Sequence, residues 1–171
     1  GIVMTNEEKI AQPVLVTGAT GFIGSRVVHK LLQENVTVKA LLLPGETIPL
    51  DWAEKIDITR GSISDPAAVA KAVSGAKTVI HLAAVVSDWG DERKYWEFTV
   101  EGSRLVFEEA IKNHARVVLA SSIVVYGDKI QKQSCPEETG YGATFGPYSR
   151  TKQAQEKLAW EYHQNKGLRI R

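Results

Sequence analysis

The chain has 171 residues, 43% of them hydrophobic, with 21 basic and 20 acidic side chains for a formal net charge of +1. This is enough to bury one sizeable core and cramped for two full domains, and the charges are too evenly spread to make an electrostatic track, so no nucleic-acid partner is expected. A single cysteine, Cys135, excludes an internal disulfide and leaves too few thiolates for structural zinc; no metal is expected, and the usage suits a reducing cytoplasm.

Gly1 to Gln12 is too polar for a signal-peptide core, and no apolar run approaches the roughly 20 residues that span a bilayer, so a soluble cytoplasmic protein without a membrane partner is expected. Met4-Thr5 reads as the natural start, with Gly1 to Val3 a remnant ahead of it. The short apolar run Val14 to Val16 then meets Thr17 to Gly24, TGATGFIG. Its glycines Gly18, Gly21 and Gly24 are spaced GxxGxxG, a variant of the dinucleotide fingerprint. Such glycines allow a tight turn, close approach to a pyrophosphate and close packing of the following helix, whose first N–H groups favour an anion. Alone, a glycine triplet is a weak signal.

Phe22, Ile23, Val27, Val28, Leu31 and Leu32 recur at helical spacing, and Asn35 is a left-handed stop. Val36 to Leu43 and Ile56 to Arg60 read as strands ended by Pro44-Gly45 and Gly61. Ser64 or Asp65 caps a helix with Pro66 in its first turn, which runs to Gly75. Thr78 to Leu82 is a fourth strand. A long helix from about Asp91 to His114 covers a sheet face with Trp96, Val100, Leu105, Val106, Ala110 and Ile111. Val117 to Ala120 is a fifth strand, Gly127 to Gly146 a Pro/Gly-rich loop, Pro147 to Asn165 a last helix, and Leu168 to Arg171 a sixth strand. This alternation demands crossovers, hence an α/β fold: a Rossmann-like, doubly wound parallel sheet with helices on both faces, in strand order 3-2-1-4-5-6, and ligands at the carboxyl ends of the strands.

Tyr148 and Lys152 stand four apart, so on a helix they share a face, and the ammonium can lie near the phenol oxygen. A tyrosine base must lower its ordinary pKa of about 10 by roughly 3 to work near neutrality, equivalent to about 4 kcal/mol. A cation about 5 Å away supplies on the order of 3 kcal/mol at an effective dielectric near 20. Ser121 and Ser122 end the fifth strand on the same rim, where a hydroxyl can bond a substrate oxygen and pass a proton to Tyr148. Each of these signals is common alone; together and in this order they converge.

TGATGFIG, Val79-Ile80-His81-Leu82-Ala83-Ala84, Ser121-Ser122-Ile123-Val124-Val125-Tyr126-Gly127 and Tyr148 to Lys152 carry a resemblance to the extended short-chain dehydrogenase/reductase superfamily, in its NAD-dependent epimerase/dehydratase branch. The resemblance covers nearly the whole chain. It implies NAD or NADP as cofactor and Ser122, Tyr148 and Lys152 as the catalytic group. It further implies cofactor contacts from Gly18, Thr20, Gly21, Phe22, Ile23 and Gly24 on the turn, from Ile63 and Asp65 near the adenine, and from Leu82, Ala83 and Ala84. Tyr148 and Lys152 complete the set at the nicotinamide ribose. His81 is read as a packed strand histidine rather than an acid or base, and Arg26 as a surface arginine.

Departures narrow the implication. Ser62 stands where members often carry Asp, and Thr99 where many carry Asn. Leu41 to Leu43 supply neither the carboxylate that bonds a ribose 2′-hydroxyl nor an arginine for a 2′-phosphate, which leaves NAD against NADP open. Ile123 and Val124 replace the acidic pair usual in sugar-nucleotide dehydratases, so dehydration is disfavoured. The expected function is epimerisation or oxidoreduction by hydride transfer at a secondary alcohol or ketone of a small-molecule substrate, a sugar nucleotide first. The alternatives are a hydroxysteroid dehydrogenase or dihydroflavonol reductase-like ketone reductase, with Val85, Val86 and Trp89 packing on the substrate, and a non-catalytic dinucleotide-binding module. The resemblance also implies a homodimer through the long helix and the Tyr148 helix. Residues 1–171 read as the NAD(P)-binding domain, with the family's C-terminal substrate domain absent from this chain, and weak cofactor binding with little or no turnover is expected for this reason.

Overall fold

Val, Ile and Leu cluster in short runs separated by helical stretches, and each run becomes one strand of a single sheet. The computed structural model describes residues 9–52, 54–82, 93, 96–119 and 147–170. Strands β1 (Val14–Thr17), β2 (Val38–Leu42), β3 (Ile56–Arg60), β4 (Thr78–His81), β5 (Arg116–Leu119) and β6 (Arg169–Ile170) alternate with helices α1 (Phe22–Gln33), α2 (Pro66–Val73), α3 (Gly102–Lys112) and α4 (Pro147–Lys166). The order across the sheet is β3-β2-β1-β4-β5-β6, every pairing parallel. This is the Rossmann-like order expected. In register, Thr17 faces Leu41 on one side and His81 on the other, so the carboxyl ends of β1, β2 and β4 form one rim. The winding reverses between β1 and β4, which opens a crevice at that rim.

Alternation along the strands divides the core into two. One face packs Val14, Val16, Val38, Ala40, Leu42 and Ile80 against Val28 and Leu31 of α1 and against Trp52. The other packs Leu15, Leu41, Val79 and Val117 against α2, α3 and α4 through Val69, Val73, Val106, Phe107, Leu158 and Tyr162. Each fully buried aliphatic side chain contributes roughly 1.5–3 kcal/mol. Helix ends follow local chemistry. Asn35, at φ 61°, turns the chain after α1; the Asp65 carboxylate accepts the Ala67 N–H at 3.1 Å and caps α2, with Pro66 in the first turn. Gly75, at φ 80°, lies just beyond α2.

Two expectations change. β2 is shorter than Val36 to Leu43. The helix expected from Asp91 to His114 is irregular: a π-helical turn, Trp96–Glu101, leads into α3, and residues 91, 92, 94 and 95 lie outside the described residues. At the junction the Ser103 hydroxyl donates to the Thr99 carbonyl, a side-chain bond that bends helices. The apolar assignment shifts with it: Phe107 is wholly buried against the sheet while Trp96 is 46% exposed.

Candidate functional site

The glycine turn is shaped by backbone crowding. Gly18 sits at φ 68°, a left-handed conformation that L side chains avoid. A Cβ on Gly24 would stand 1.8 Å from the Gly18 carbonyl oxygen, so α1 starts pressed against the end of β1. Gly21 is the N-cap of α1 and no side chain caps that terminus, nor is there an acidic residue in its first turn. The first N–H groups of α1, at the positive end of its dipole, are therefore taken by no side-chain cap, the arrangement that receives a phosphate. Phe22 is exposed there, with the Arg26 guanidinium 4.4 Å from its ring centre.

Ile63 and Leu82 are buried at the rim. Ile63 packs on Gly102, where a Cβ would come within 3.0 Å of its Cγ1. Thr20 donates its hydroxyl hydrogen to Glu46. Glu46 is the residue that strand-end reasoning missed. The Leu43-Pro44-Gly45-Glu46 turn closes with Glu46 N–H on the Leu43 carbonyl at 3.1 Å, and the carboxylate also accepts the Leu43 N–H at 2.8 Å. Arg60, at the end of β3, clamps the same turn by donating to the carbonyls of Leu43 and Glu46 at 2.9 and 2.6 Å. The signal was present in the Pro-Gly pair, which brings the residue after it back beside the strand end.

His81 is a packed strand histidine with both ring nitrogens engaged, Nδ1 with Thr17 Oγ1 and Nε2 with Ser103 Oγ, each at 2.8 Å. Thr17 Oγ1 also accepts the Leu82 N–H at 2.9 Å, and Gln155 Nε2 donates to Ser103 Oγ at 2.7 Å. Thr99, wholly buried, has no hydrogen-bond partner for its Oγ1 among the described residues. Positions 148 and 152 lie on the first turns of α4. Ser122, Ala83 and Ala84 lie outside the described residues, as do Ser121, Ile123, Val124 and the Val85 to Trp89 stretch.

A parallel sheet in this order, with a glycine turn at its switch point, defines a dinucleotide-binding α/β domain of the Rossmann type. The chain belongs to the NAD dependent epimerase/dehydratase family, which matches residues 14–171. It is 31% identical over 166 residues to a dTDP-glucose 4,6-dehydratase of Mycolicibacterium smegmatis, covering 91% of this chain and 50% of that protein. It is 29% identical over 171 residues to a bifunctional UDP-glucose 4-epimerase and UDP-xylose 4-epimerase of Arabidopsis thaliana, covering 90% and 48%. A short-chain dehydrogenase/reductase superfamily protein from Agrobacterium tumefaciens, solved with bound NAD, superposes with a TM-score of 0.71 at 25% identity, over 92% of this chain and 47% of that one. The chain thus spans about half the length of the curated relatives it matches. Among the described residues no helix is long and apolar enough to cross a membrane.

Proposed function

We propose that this chain is the NAD-binding part of an enzyme that epimerises or oxidises a secondary alcohol of a sugar nucleotide by hydride transfer. The observation that carries the reading is the turn from Gly18 to Gly24, crowded against β1 and left uncapped at α1, in a chain whose relatives include sugar-nucleotide enzymes. The turn fits a pyrophosphate. Thr20, Phe22 and Ile23 line it, Ile63 and Asp65 flank the adenine, and Leu82, Ala83 and Ala84 border the dinucleotide. Glu46 supports NAD over NADP: a carboxylate held beside the glycine turn accepts a ribose 2′-hydroxyl and repels a 2′-phosphate.

Bound NAD supplies the hydride acceptor. Tyr148, as phenolate, takes the substrate hydroxyl proton, Lys152 stabilises that phenolate and bonds the nicotinamide ribose, and Ser122 holds the substrate oxygen. With NAD bound, the cofactor would supply hydride transfer in either direction, so that epimerisation or simple oxidation would depend on whether the ketone is reduced again before it leaves. Ile123 and Val124 support these outcomes over dehydration, since neither side chain can move a proton. Ketone reduction on an apolar ring substrate is the second reading, favoured by Val85, Val86 and Trp89. The partner reading is a homodimer, supported by Trp96 and Trp160, 46% and 57% exposed on the π-helical turn and α4; the near-neutral charge supports no nucleic-acid partner.

Conversion of UDP-glucose to its 4-epimer by the complete enzyme, followed by proton NMR with NAD present, tests the reading alongside NAD and NADP titrations of the chain. Tyr148→Phe is expected to abolish conversion while NAD affinity stays within about threefold, and Lys152→Ala to damage both. Glu46→Ala should narrow the preference for NAD about tenfold, one charge contact being worth on the order of 1 kcal/mol or more. Conversion surviving in Tyr148→Phe would remove the assigned base.

A further inference from the structure

For a neutral imidazole, the buried bonds around His81 assign their hydrogens. Ser103 spends its only hydroxyl hydrogen on the Thr99 carbonyl, so it accepts from both Gln155 Nε2 and His81 Nε2. His81 therefore carries its proton on Nε2, and its bare Nδ1 accepts from Thr17, whose oxygen in turn accepts the Leu82 N–H. Thr17, His81, Ser103 and Gln155 are all at most 1% exposed, where an unmet polar group is costly and a satisfied network admits few alternatives. The network therefore resists sliding of its elements past one another.

Its two ends lie at separate parts of the proposed site. Thr17 immediately precedes Gly18 of the glycine turn, and Leu82 precedes Ala83 and Ala84. Gln155, Leu158, Ala159 and Tyr162 form the buried stripe of α4, and helical spacing carries that stripe back through positions 152 and 148. We propose that Gln155, Ser103 and His81 are positioning residues that couple the glycine turn to the Tyr148/Lys152 helix, so that a dinucleotide seated on the turn also sets the reacting end of α4. The inference rests on the reading of Tyr148 and Lys152 under Proposed function. An apolar contact tolerates small rotations of α4; a donor that must meet Ser103 at 2.7 Å does not. The π-helical turn contributes by presenting the Thr99 carbonyl that fixes the Ser103 hydrogen.

The test uses the chain labelled with nitrogen-15. Expected for the wild type is a single Nε2–H form of His81 and a Gln155 side-chain amide that shifts with NADH along the same saturation curve as binding. Gln155→Met keeps the side-chain shape and loses the donor; Ser103→Ala removes the hub and serves as the second break. In the complete enzyme of which this chain is the NAD-binding part, assayed with UDP-glucose, each folded variant should lose about tenfold or more in kcat while KM and the Kd for NADH stay within about threefold, the pattern of misplaced reacting groups. An Nδ1–H His81, a Gln155 amide unmoved at saturating NADH, or wild-type kcat in Gln155→Met would overturn the coupling and leave the cofactor assignment standing. Failure of the wild type to bind NADH would overturn the cofactor assignment and the coupling with it.

Discussion

The two faces of the sheet are held by different chemistry. Against α1 the buried side chains are almost wholly aliphatic, Thr78 at the foot of β4 being the polar exception, its hydroxyl on the Ala11 carbonyl at 2.7 Å. Against α2, α3 and α4 the apolar cluster is threaded by Thr17, His81, Thr99, Ser103 and Gln155. Apolar packing stabilises through area and volume and tolerates repacking; a buried polar chain adds little net energy but penalises any arrangement that breaks it. The difference teaches where stability and where alignment reside. The α1 face seats the glycine turn through shape, and the opposite face aligns the helix that carries Tyr148 and Lys152.

The sharpest way to break the α1 face is Gly24→Ala. Its methyl would have to displace backbone at the turn, and a loss of about 4 kcal/mol or more is expected, measured by urea unfolding, together with loss of NADH binding. Next comes a pair that compares the faces directly. Leu31→Ala should cost about 3 kcal/mol by cavity formation. Ser103→Ala removes far less volume yet should cost about 2 kcal/mol, because it strands the His81 and Gln155 donors. If Ser103→Ala costs no more than a surface substitution, the contrast between the faces fails.

The smallest expected effect is at Tyr162, packed against Phe107, with its hydroxyl donating to Glu108 at 2.7 Å. Burial raises its pKa above the ordinary 10.0, the bond to Glu108 adds to this, and Arg104 opposes it. The folded state thus holds this proton more tightly than the unfolded chain. The resulting stability is fully present below the unfolded value near 10 and is lost as pH rises through the higher folded one. Tyr162→Phe should cost about 1 kcal/mol at pH 7 and remove that alkaline slope, as read by urea unfolding at neutral and alkaline pH.

The strands, their order and the turn were legible because they rest on local rules: β-branched runs, glycine spacing, and caps such as Asp65 and Asn35. The alternation of strand and helix implied the parallel sheet without any single contact being known. What stayed hidden depends on tertiary placement. The π-helical turn Trp96–Glu101 interrupts a helix whose periodicity continues through it, so Trp96 read as core and emerged half-exposed. Glu46 escaped because attention to the last residues of β2 passes over a turn that doubles back. His81 was legible as packed, but its partners at 17, 103 and 155 are far apart in sequence, and no spacing rule joins them. Ser122, Ala83 and Ala84 lie beyond the described residues, and their roles stand as proposed.

The turn from Leu43 to Glu46 carries a consequence for how such a protein can change over generations. It lies on the surface, outside both apolar clusters; Arg60 grips two of its main-chain carbonyls, and the Glu46 side chain adds bonds to Thr20 and to the Leu43 N–H. An exchange at position 46 gives up those two local bonds and leaves both faces of the sheet untouched. On the proposed reading, selectivity between the two dinucleotides is an evolvable trait whose structural cost is confined to one surface turn, open to drift or redesign there, while the glycines and the buried histidine remain under the constraint of the core.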